Sequence, residues 1–523
     1  MDELSFCDRL LGKKSFLEKA REVSANVAEE SRYEGLKIDY DFENLVFEGG
    51  GAKGIAYAGA IKALEDLGIM KKIKRVAGAS VGAFSAMLVA IGASVDELIV
   101  QGLIDIKYLT NDAGGLFNVI MNLFKRFGMN PGNRLLDHIR KMLEKYTGNP
   151  NITFEELYKL RGVELCVVVS NLSISSIEYC HMKTTPDLPI ALAVKISMSL
   201  PFLFEPNKIP VGFTRGLNEN ELYVDGGVLS NYPVRAFDGW FLSLDVEQSF
   251  FHMVGSDVPM FEGENKKTLG LKIFDAREND ADELIYMRRY GEEKQKRPRT
   301  ALSKKNGKKV DKVLKAKTLK LRMAEAATKF LTFLKKCDTD GSGTISLEEF
   351  KAGLRRIGVG DKEKEEQESA CSSGESSSAK DGEFSLADWH LLFESESLKA
   401  GMDVDEIFSE IDKDSDKEIT FTEIVSYMSK KGVALRRIMI KARGAHRPDL
   451  KSLPDFISAF TDTYAITLTQ LNSLPNENER TIGVFTDYVG TLDFEQELAD
   501  SRYVIKQGWL AAVSFLKERN AKK

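Results

Sequence analysis

Residues 47–54 have the sequence FEGGGAKG, a glycine-rich turn between an apolar strand pattern, NLVFE, and an amphipathic helix pattern, IAYAGAIKALEDLG. A loop that enters a helix directs unpaired backbone N–H groups at negative charge. Gly49, Gly51 and Gly54 fit the G-x-G-x-x-G fingerprint of dinucleotide binding, whereas residues 49–51 fit the glycine strip of a hydrolase oxyanion hole. Motifs elsewhere in the chain distinguish these two interpretations.

A second motif lies downstream of the glycine strip. Residues 78–82, GASVG, form a G-x-S-x-G pattern between a short strand pattern and a long apolar helix pattern. In that context the serine projects from a sharp turn, and the flanking Gly78 and Gly82 leave room for strained backbone and close helix packing. Ser80 is therefore the predicted nucleophile. Because serine is weakly nucleophilic at neutral pH, it needs a neighbouring base.

A carboxylate is a better candidate for that base than a histidine. Asp225 follows a strand-like ELYV and precedes Gly226 and Gly227, which allow close approach to another loop. A dinucleotide fold would need an acidic residue about 20 positions past the glycines, where Lys74 and Arg75 stand. The hydrolase interpretation is therefore favoured. The histidines stand in no recognisable catalytic context: His138, His181, His252, His390 and His446.

These three motifs, in this order, resemble the patatin-like phospholipase family, which carries a glycine-rich oxyanion loop, a G-x-S-x-G elbow and a D-G-[GA] motif. KISMSLPFLFEP resembles the segment between elbow and aspartate in that family. The resemblance implies that Ser80 attacks an ester carbonyl, that Asp225 accepts its proton, and that water then cleaves an acyl-enzyme. It also implies oxyanion donors at Gly50, Gly51 and Ala52. The whole predicted oxyanion loop is Gly49, Gly50, Gly51, Ala52, Lys53 and Gly54.

Two acidic loops farther along match the EF-hand calcium loop. Residues 338–349, DTDGSGTISLEE, match it position by position, and residues 412–423, DKDSDKEITFTE, depart only at Lys417, where glycine is expected. A non-glycine residue held left-handed costs about 1–2 kcal/mol, so we expect weaker binding at the second loop. The predicted Ca²⁺ ligands are Asp338, Asp340, Ser342, Thr344, Ser346 and Glu349 in the first loop, and Asp412, Asp414, Asp416, Glu418, Thr420 and Glu423 in the second.

Between these loops, residues 377–388 resemble an EF-hand loop without its first ligands, and we expect it to pair structurally without a metal. Acidic surface turns that bind no metal are the alternative for both complete loops. Ca²⁺ is expected to be regulatory or structural, with no cofactor needed for the chemistry.

The alternation of strand and helix patterns predicts an α/β fold, a patatin-like three-layer hydrolase domain with a mainly parallel sheet and an all-α EF-hand module inserted late in it. Residues 480–518 resemble the last strand and helix of bacterial-type patatin domains; a separate helical C-terminal domain is the alternative. The expected order is a helical lead-in 1–40, hydrolase 41–290, a basic linker 291–320, the EF-hand module 321–432 and the remaining hydrolase 433–523.

Composition limits the cellular context. The net charge of −6 disfavours a nucleic-acid partner, and five scattered cysteines without C-x-x-C spacing favour a reducing compartment. The uncharged run 76–95 is too rich in glycine, alanine and serine for a membrane span. No export signal is visible, so a cytoplasmic, peripherally membrane-associated protein is expected, with non-classical secretion left open.

The expected function is calcium-binding acyl hydrolysis of phospholipids or lysophospholipids at a membrane surface. A calcium sensor or binding platform with an inactive hydrolase fold and a neutral-lipid esterase are the alternatives. The basic linker is expected to dock on the EF-hand module, to bind anionic lipid, or to remain solvated. The need for a protein activator is left open.

Overall fold

A computed structural model describes residues 16–36, 40–104, 109, 112–209, 221–245, 253, 255, 257–276, 286–287, 295–357, 384–385, 388, 404–430 and 477–521. The chain divides into two compact units. One comprises Met1–Val310 with Ala445–Lys523, and the other comprises Asp311–Gly444. Of the degenerate loop 377–388, only residues 384, 385 and 388 lie within the described part. His252, His390 and His446 lie outside it.

Fourteen α-helices are present in the described residues. They are α1 Phe16–Val27, α2 Ala56–Asp66, α3 Val81–Ala90, α4 Val95–Gly102, α5 Leu116–Arg126, α6 Asn133–Thr147, α7 Phe154–Arg161, α8 Ile190–Ser197, α9 Gly227–Ser230, α10 Ala301–Cys337, α11 Leu347–Ile357, α12 Val404–Ile411, α13 Phe421–Lys430 and α14 Leu498–Ala521. None of these described helices combines the length and apolar character needed to cross a membrane.

The strands of the first unit are β1 Asn44–Phe47, β2 Arg75–Ala79, β3 Gly128–Asn130, β4 Glu164–Asn171, β5 Ser176–Cys180, β6 Phe202–Phe204, β7 Tyr223–Asp225, β8 Thr268–Phe274 and β11 Thr481–Phe485. Seven of them form one sheet in the order β11-β8-β1-β2-β4-β5, with β7 also paired to β4. The pairs from β11 through β4 are parallel, and β5 and β7 are antiparallel to β4. The predicted α/β fold with a mainly parallel sheet is confirmed.

The sheet is covered on both faces. On one face, alternate residues such as Val46, Ala77 and Val168 pack with Phe237 and Leu242. On the other face, Gly78 lies against α3, because a Cβ at Gly78 would come within 2.2 Å of Gly82 O. Burial on both faces explains why the central strands, such as ELCVVVSN in β4, are continuous apolar runs.

The segment after residue 476 completes this sheet. Strand β11 pairs in parallel with β8 through residues 481–485. Helix α14 crosses α2 so closely that a Cβ at Gly59 would lie 1.8 Å from Ile505 O, and one at Gly508 would lie 1.9 Å from Ala56 O. Two glycines at the crossing therefore let the two helix backbones touch. The C-terminal residues belong to the same compact unit as the glycine-rich loop.

The expected solvated linker 291–320 is ordered where the structure describes it. Helix α10 begins at Ala301, and Leu302 and Val310 are buried. Arg297 donates to both carboxylate oxygens of Asp487, through Nε at 2.5 Å and Nη2 at 2.7 Å. Of the three alternatives for this linker, the solvated one does not hold for residues 297–310, where Leu302, Val310 and the bidentate Arg297 anchor a chain otherwise rich in lysine.

The second unit has its own core. Helices α10, α11, α12 and α13 contribute buried apolar side chains, including Phe330, Phe350, Phe408 and Tyr427. Two short strands, β9 Ile345–Ser346 and β10 Glu418–Ile419, pair antiparallel and join the two acidic loops, with Ile345 opposite Ile419. Each loop therefore lies between two helices and is fixed to the other loop at its apolar eighth position.

Candidate active site

The register of the sheet brings the predicted nucleophile and base together. Strand β2 runs along β4 until Ala79 faces Val168. Strand β7 runs in the opposite direction along the same strand and ends with Asp225 facing Val169, the next residue. The ends of strands β2 and β7 therefore meet at adjacent positions of β4. Ser80, the residue after Ala79, leaves the sheet where Asp225 arrives.

Ser80 Oγ donates a hydrogen bond to Asp225 Oδ2 at 2.7 Å. The backbone of Ser80 has φ 53° and ψ −131°, a region that non-glycine residues rarely adopt, and it lies directly before α3. Gly82 fits under this turn, because a Cβ there would lie 2.6 Å from Glu48 O. The predicted sharp turn between strand and helix is thus present, with the serine hydroxyl held at its tip.

The carboxyl group of Asp225 is nearly fully buried, with 2% of the residue exposed. Burial raises the pKa of Asp225 to about 7, and the hydrogen bonds from Ser80 and from the Gly227 N–H oppose that rise. The Gly227 bond to Asp225 Oδ1 is 2.7 Å long. A carboxyl group with this pKa is suited to take up and release a proton near neutral pH.

The glycine-rich loop lies against the serine. A Cβ at Gly49 would lie 2.9 Å from Ser80 Cβ, so only glycine fits at this position. Residues Gly51–Ile55 form a single 3-10 turn that starts with Gly51 at φ 55°. Gly54 lies over the start of α3, where a Cβ would approach Val81 Cγ1 to 2.5 Å. The loop and the turn of Ser80 thus form one surface.

The N–H groups of this loop are unequally available. The Ala52 N–H donates to Thr491 O at 2.9 Å, and the Gly49 N–H donates to Asn231 O at 2.9 Å. The Lys53 N–H bonds Gly50 O at 3.2 Å, and its buried ammonium bonds Ile273 O. The assignment of Ala52 as an oxyanion donor is therefore wrong in this structure. Among the described residues, the N–H groups of Gly50 and Gly51 have no hydrogen-bond partner.

Three further residues position these groups without being part of any motif. Ser197 Oγ accepts from the Ser80 N–H at 2.9 Å and donates to Val168 O at 2.6 Å. Asn231 Nδ2 donates to Gly49 O at 2.9 Å. Gln496 Nε2 donates to Ala52 O at 3.1 Å, from the same segment as Thr491. Ser197 lies in the segment KISMSLPFLFEP, which resembles the family, but no sequence pattern distinguished Ser197, Asn231 or residues 491–496.

The two described histidines make other contacts. His138 Nε2 lies 2.6 Å from Gln101 Oε1, and His181 Nε2 lies 3.2 Å from Glu164 Oε2. Within the described part of the chain, neither Ser80 nor Asp225 hydrogen-bonds a histidine. Among the described residues, the base adjacent to the serine is a carboxylate.

The predicted calcium ligands form two separate carboxylate clusters. Ligand oxygens of Asp338, Asp340 and Glu349 lie within 4.8 Å of one another, as do those of Asp412, Asp414 and Asp416. Glu349 caps its own loop, accepting from Thr339 N at 2.8 Å and from Ser346 Oγ at 2.9 Å. Glu423 makes the corresponding bonds to Lys413 N at 2.8 Å and Thr420 Oγ1 at 2.8 Å. The remaining predicted ligands Ser342, Thr344 and Glu418 lie in the same two loops.

One feature of both loops fits a cation. Asp338 Oδ1 and Asp412 Oδ1, at the first position of each loop, are buried and have no hydrogen-bond partner among the described residues. A buried carboxylate oxygen without a donor is costly unless a positive charge meets it. Gly343 and Lys417, at the sixth position, both have left-handed backbone, with φ 81° and φ 69°.

Comparison with known proteins places the three motifs in one family. Residues 45–238, which contain all three, match the model described as patatin-like phospholipase. Protein R571 of Acanthamoeba polyphaga mimivirus, which is uncharacterized, is 34% identical over 198 residues, 38% of this chain and 61% of that protein. A probable lipid hydrolase, 463L of Invertebrate iridescent virus 6, is 28% identical over 210 residues, 38% of this chain and 64% of that protein.

The chain thus spans about three fifths of the length of these curated relatives. Among solved structures, VipD from Legionella pneumophila is similar with a TM-score of 0.38 and 16% identity, over 92% of this chain and 67% of that one. The family match, the mainly parallel sheet and the strand-turn-helix setting of GASVG agree. Residues 45–238 are a patatin-like phospholipase domain and have the patatin fold. The family is one of lipid hydrolases.

Proposed function

We propose that this protein is a lipid acyl hydrolase that cleaves carboxylic esters of phospholipids or lysophospholipids with a Ser80/Asp225 dyad. The observation that carries the proposal is the 2.7 Å hydrogen bond from Ser80 Oγ to Asp225 Oδ2. The raised pKa of Asp225, about 7, and the glycine-rich loop against Ser80 support it.

In the proposed first half-reaction, Ser80 Oγ attacks the ester carbonyl carbon while its proton passes to Asp225 Oδ2. The carbonyl oxygen becomes an oxyanion, which would accept hydrogen bonds from the N–H groups of Gly50 and Gly51. The carbon–oxygen bond to the leaving group then breaks, and the leaving alkoxide takes the proton from Asp225. The products are an alcohol and an ester between Ser80 and the fatty acyl chain.

In the second half-reaction, water replaces Ser80 as the nucleophile. Asp225 accepts a proton from the water, the new oxyanion occupies the same donors, and Ser80 Oγ leaves and recovers its proton from Asp225. The fatty acid is released, and the dyad returns to its starting state. Loss of one oxyanion donor in hydrolases of this kind costs about 10²–10³ in rate.

We also propose that the two acidic loops of the second unit are EF-hands that bind Ca²⁺ in a structural or regulatory role. Asp338, Asp340, Ser342, Thr344, Ser346 and Glu349 would hold one ion, and Asp412, Asp414, Asp416, Glu418, Thr420 and Glu423 the other. The buried, unpaired oxygens of Asp338 and Asp412 support this proposal. Oxygen ligands from carboxylates, hydroxyls and carbonyls suit Ca²⁺.

The test compares two alanine variants in the same segment. Ser80→Ala should abolish release of fatty acid and labelling by a fluorophosphonate, whereas Ser85→Ala, which loses only a bond to Val81 O at 3.1 Å, should keep both. Turnover by Ser80→Ala near the wild-type rate would refute the dyad. A wild-type protein that is not labelled in the presence of Ca²⁺ would favour a binding platform with an inactive hydrolase fold.

Substrate choice and calcium dependence need defined lipids. Fatty-acid release should be faster from phosphatidylcholine or lysophosphatidylcholine than from triacylglycerol; the reverse order would indicate a neutral-lipid esterase. The same assay with Ca²⁺ and with chelator separates a regulatory from a structural role. Equal rates, together with a lower melting temperature in chelator, would leave only the structural role.

A further inference from the structure

Helix α5 is amphipathic, yet no described side chain on it is buried. Phe117, Ile120 and Phe124 lie at spacings of three and four residues, so they share one face of the helix. Phe117 is 74% exposed, Phe124 is 78% exposed, and Ile120 is 48% exposed. A helix in a folded protein normally buries its apolar stripe in a core, whereas the described apolar residues of α5 are exposed or only half-buried.

Two more exposed phenylalanines lie close to the end of this helix. Phe127 directly follows α5 and is 63% exposed, and Phe202 is 64% exposed. Gly128, the first residue of β3, pairs with Phe202, the first residue of β6, so Phe127 directly precedes the residue that faces Phe202. Together Phe117, Ile120, Phe124, Phe127 and Phe202 are called the aromatic surface below.

The backbone at two of these positions is strained. Phe127 has φ 62° and Phe202 has φ 69°, in the left-handed region where a bulky residue is an outlier. Glycine would adopt these angles without cost. Phenylalanine at both positions carries the strain and an exposed ring, and the folded chain alone gives no compensating burial. A partner that buries the two rings would offset the free-energy cost of the strained backbone.

The aromatic surface adjoins the dyad along the chain. Ser197 Oγ holds the Ser80 N–H, and Ser199 O accepts from the Asp225 N–H at 3.0 Å. Phe202 is five residues beyond Ser197, which limits the separation of their Cα atoms to about 18 Å. The same short segment therefore contacts both catalytic groups and then emerges as exposed aromatic surface.

The charge of this region indicates which partner fits. No acidic residue occurs between Asp112 and Asp137, whereas Lys125 and Arg126 end α5. Exposed phenylalanines flanked by basic residues are typical of helices that lie in the headgroup region of a bilayer, where lysine and arginine attract anionic lipid. Arg126 pairs with Glu205 Oε1 at 3.3 Å, so Lys125, for which no ion pair is seen among the described residues, is the basic group that α5 offers to anionic headgroups.

We propose that the aromatic surface docks the enzyme on anionic lipid bilayers, with the phenylalanine rings inserted among the acyl chains and Lys125 against the headgroups. This inference rests on the proposed function, since it places a lipid source beside Ser80. It does not involve the basic segment 291–320. Docking lets a lipid pass from the bilayer to the dyad over a short distance.

The test uses the full chain carrying Ser80→Ala, so that vesicles are not degraded. Sedimentation with vesicles of phosphatidylcholine mixed with phosphatidylglycerol should show binding, and vesicles of phosphatidylcholine alone should bind less. Adding Phe117→Ser and Phe124→Ser should weaken binding about tenfold or more per ring. The matched control is Leu160→Ser, also an exposed apolar residue, on α7 before the opposite end of β4. It should bind like the parent.

Catalysis distinguishes this inference from the proposed function. With Ser80 intact, the double variant Phe117→Ser, Phe124→Ser should hydrolyse soluble p-nitrophenyl butyrate at the wild-type rate. It should release fatty acid from the mixed vesicles at least tenfold more slowly than wild type. No hydrolysis of the soluble ester by the wild-type protein would defeat the proposed function. Vesicle binding equal to the parent, or a parent that binds no vesicles, would overturn the docking surface and point to a protein partner.

Discussion

Ser197 Oγ accepts a hydrogen bond from the Ser80 N–H at 2.9 Å and donates one to Val168 O at 2.6 Å. Ser197 is fully buried, so no water can replace it without rearrangement. Through this bridge the strained backbone of Ser80, with φ 53°, is tied to the central strand β4. The bridge also satisfies a part-buried N–H that would otherwise have no acceptor in the turn.

Ser197→Ala should therefore lower kcat with little change in KM. Leaving this part-buried N–H unsatisfied costs about 1–3 kcal/mol, equivalent to a rate loss of about 5- to 150-fold if the strained turn relaxes. Turnover of a soluble ester and the rate of fluorophosphonate labelling measure the loss. Ser197→Thr, which keeps the hydroxyl, should restore much of the activity, whereas a purely steric role would leave both variants equally active.

The pH profile should report the ionisation of Asp225. Asp225 must be ionised to accept the proton of Ser80, and burial raises its pKa to about 7. The value of kcat/KM should therefore rise about tenfold per pH unit well below pH 7 and level off above it. A profile already flat from about pH 5 upward would show that Asp225 stays ionised in the free enzyme and would contradict this assignment.

The same burial has a consequence for stability. Because the folded pKa of Asp225 is raised above its unfolded value, its stabilising contribution is fully present below about pH 4 and is lost as the pH rises through about 7. Asp225→Asn, which cannot ionise, should therefore gain in melting temperature relative to wild type as the pH rises from 6 to 8. An equal difference at both pH values would argue against a buried, titrating carboxyl group.

The sequence predicted the parts of the site that depend on local backbone shape. The glycine loop, the turn at Ser80 and the Asp225 turn each require glycine for steric reasons that leave a readable motif, as at Gly49, where a Cβ would meet Ser80 Cβ. The parallel direction of the central strands also followed from the alternation of strand and helix patterns. The meeting of β2 and β7 on β4 was beyond those patterns, because register depends on pairing between distant segments.

The contacts that the sequence did not predict are long-range and use ordinary residues. Thr491 takes the Ala52 N–H through a backbone carbonyl, which any residue type could supply. Asn231 donates a hydrogen bond to Gly49 O. It lies six residues after Asp225 in a segment that contains no motif of its own. The anchoring of residues 297–310 was missed because the buried positions, although helically spaced, include Ser303, Asn306 and Gly307, so that only Leu302 and Val310 mark the stripe by apolar side chains.

The ion pair between Asp238 and Arg480 should be a main tether of the C-terminal segment. Both residues are buried, and two hydrogen bonds of 2.8 Å join them just before β11 begins. Arg480→Met should cost about 3–5 kcal/mol in free energy of unfolding, because it removes both arginine hydrogen bonds from a buried carboxylate whose other cation, Arg235, is 4.0 Å away. Arg502→Met, which removes an exposed pair with Glu22, should cost at most about 1 kcal/mol.

Urea denaturation of both variants measures these costs. A single transition that shifts in Arg480→Met would show that residues after 476 unfold together with the patatin-like domain. If instead a separate early transition appeared in that variant and the main one stayed unchanged, the C-terminal segment would be an independent element. Equal small shifts in the two variants would contradict the buried ion pair as a tether.

Lys417 should limit calcium affinity at the second loop through its backbone. It has φ 69° at the position where the first loop has Gly343 at φ 81°. Relieving the left-handed strain of a non-glycine residue is worth about 1–2 kcal/mol, so Lys417→Gly should tighten binding at this loop about 5- to 30-fold. Isothermal titration, with the first loop disabled by Glu349→Gln, measures that site alone.

Lys417→Ala separates backbone strain from charge, because it removes the ammonium group but keeps a Cβ in the left-handed region. If strain dominates, Lys417→Ala should bind Ca²⁺ only slightly more tightly than wild type, and the main gain should appear with glycine. The reciprocal change Gly343→Lys, in a chain whose second loop is disabled by Glu423→Gln, should weaken the first loop by a similar factor. Equal gains from alanine and glycine at position 417 would assign the effect to the positive charge beside Asp416 instead.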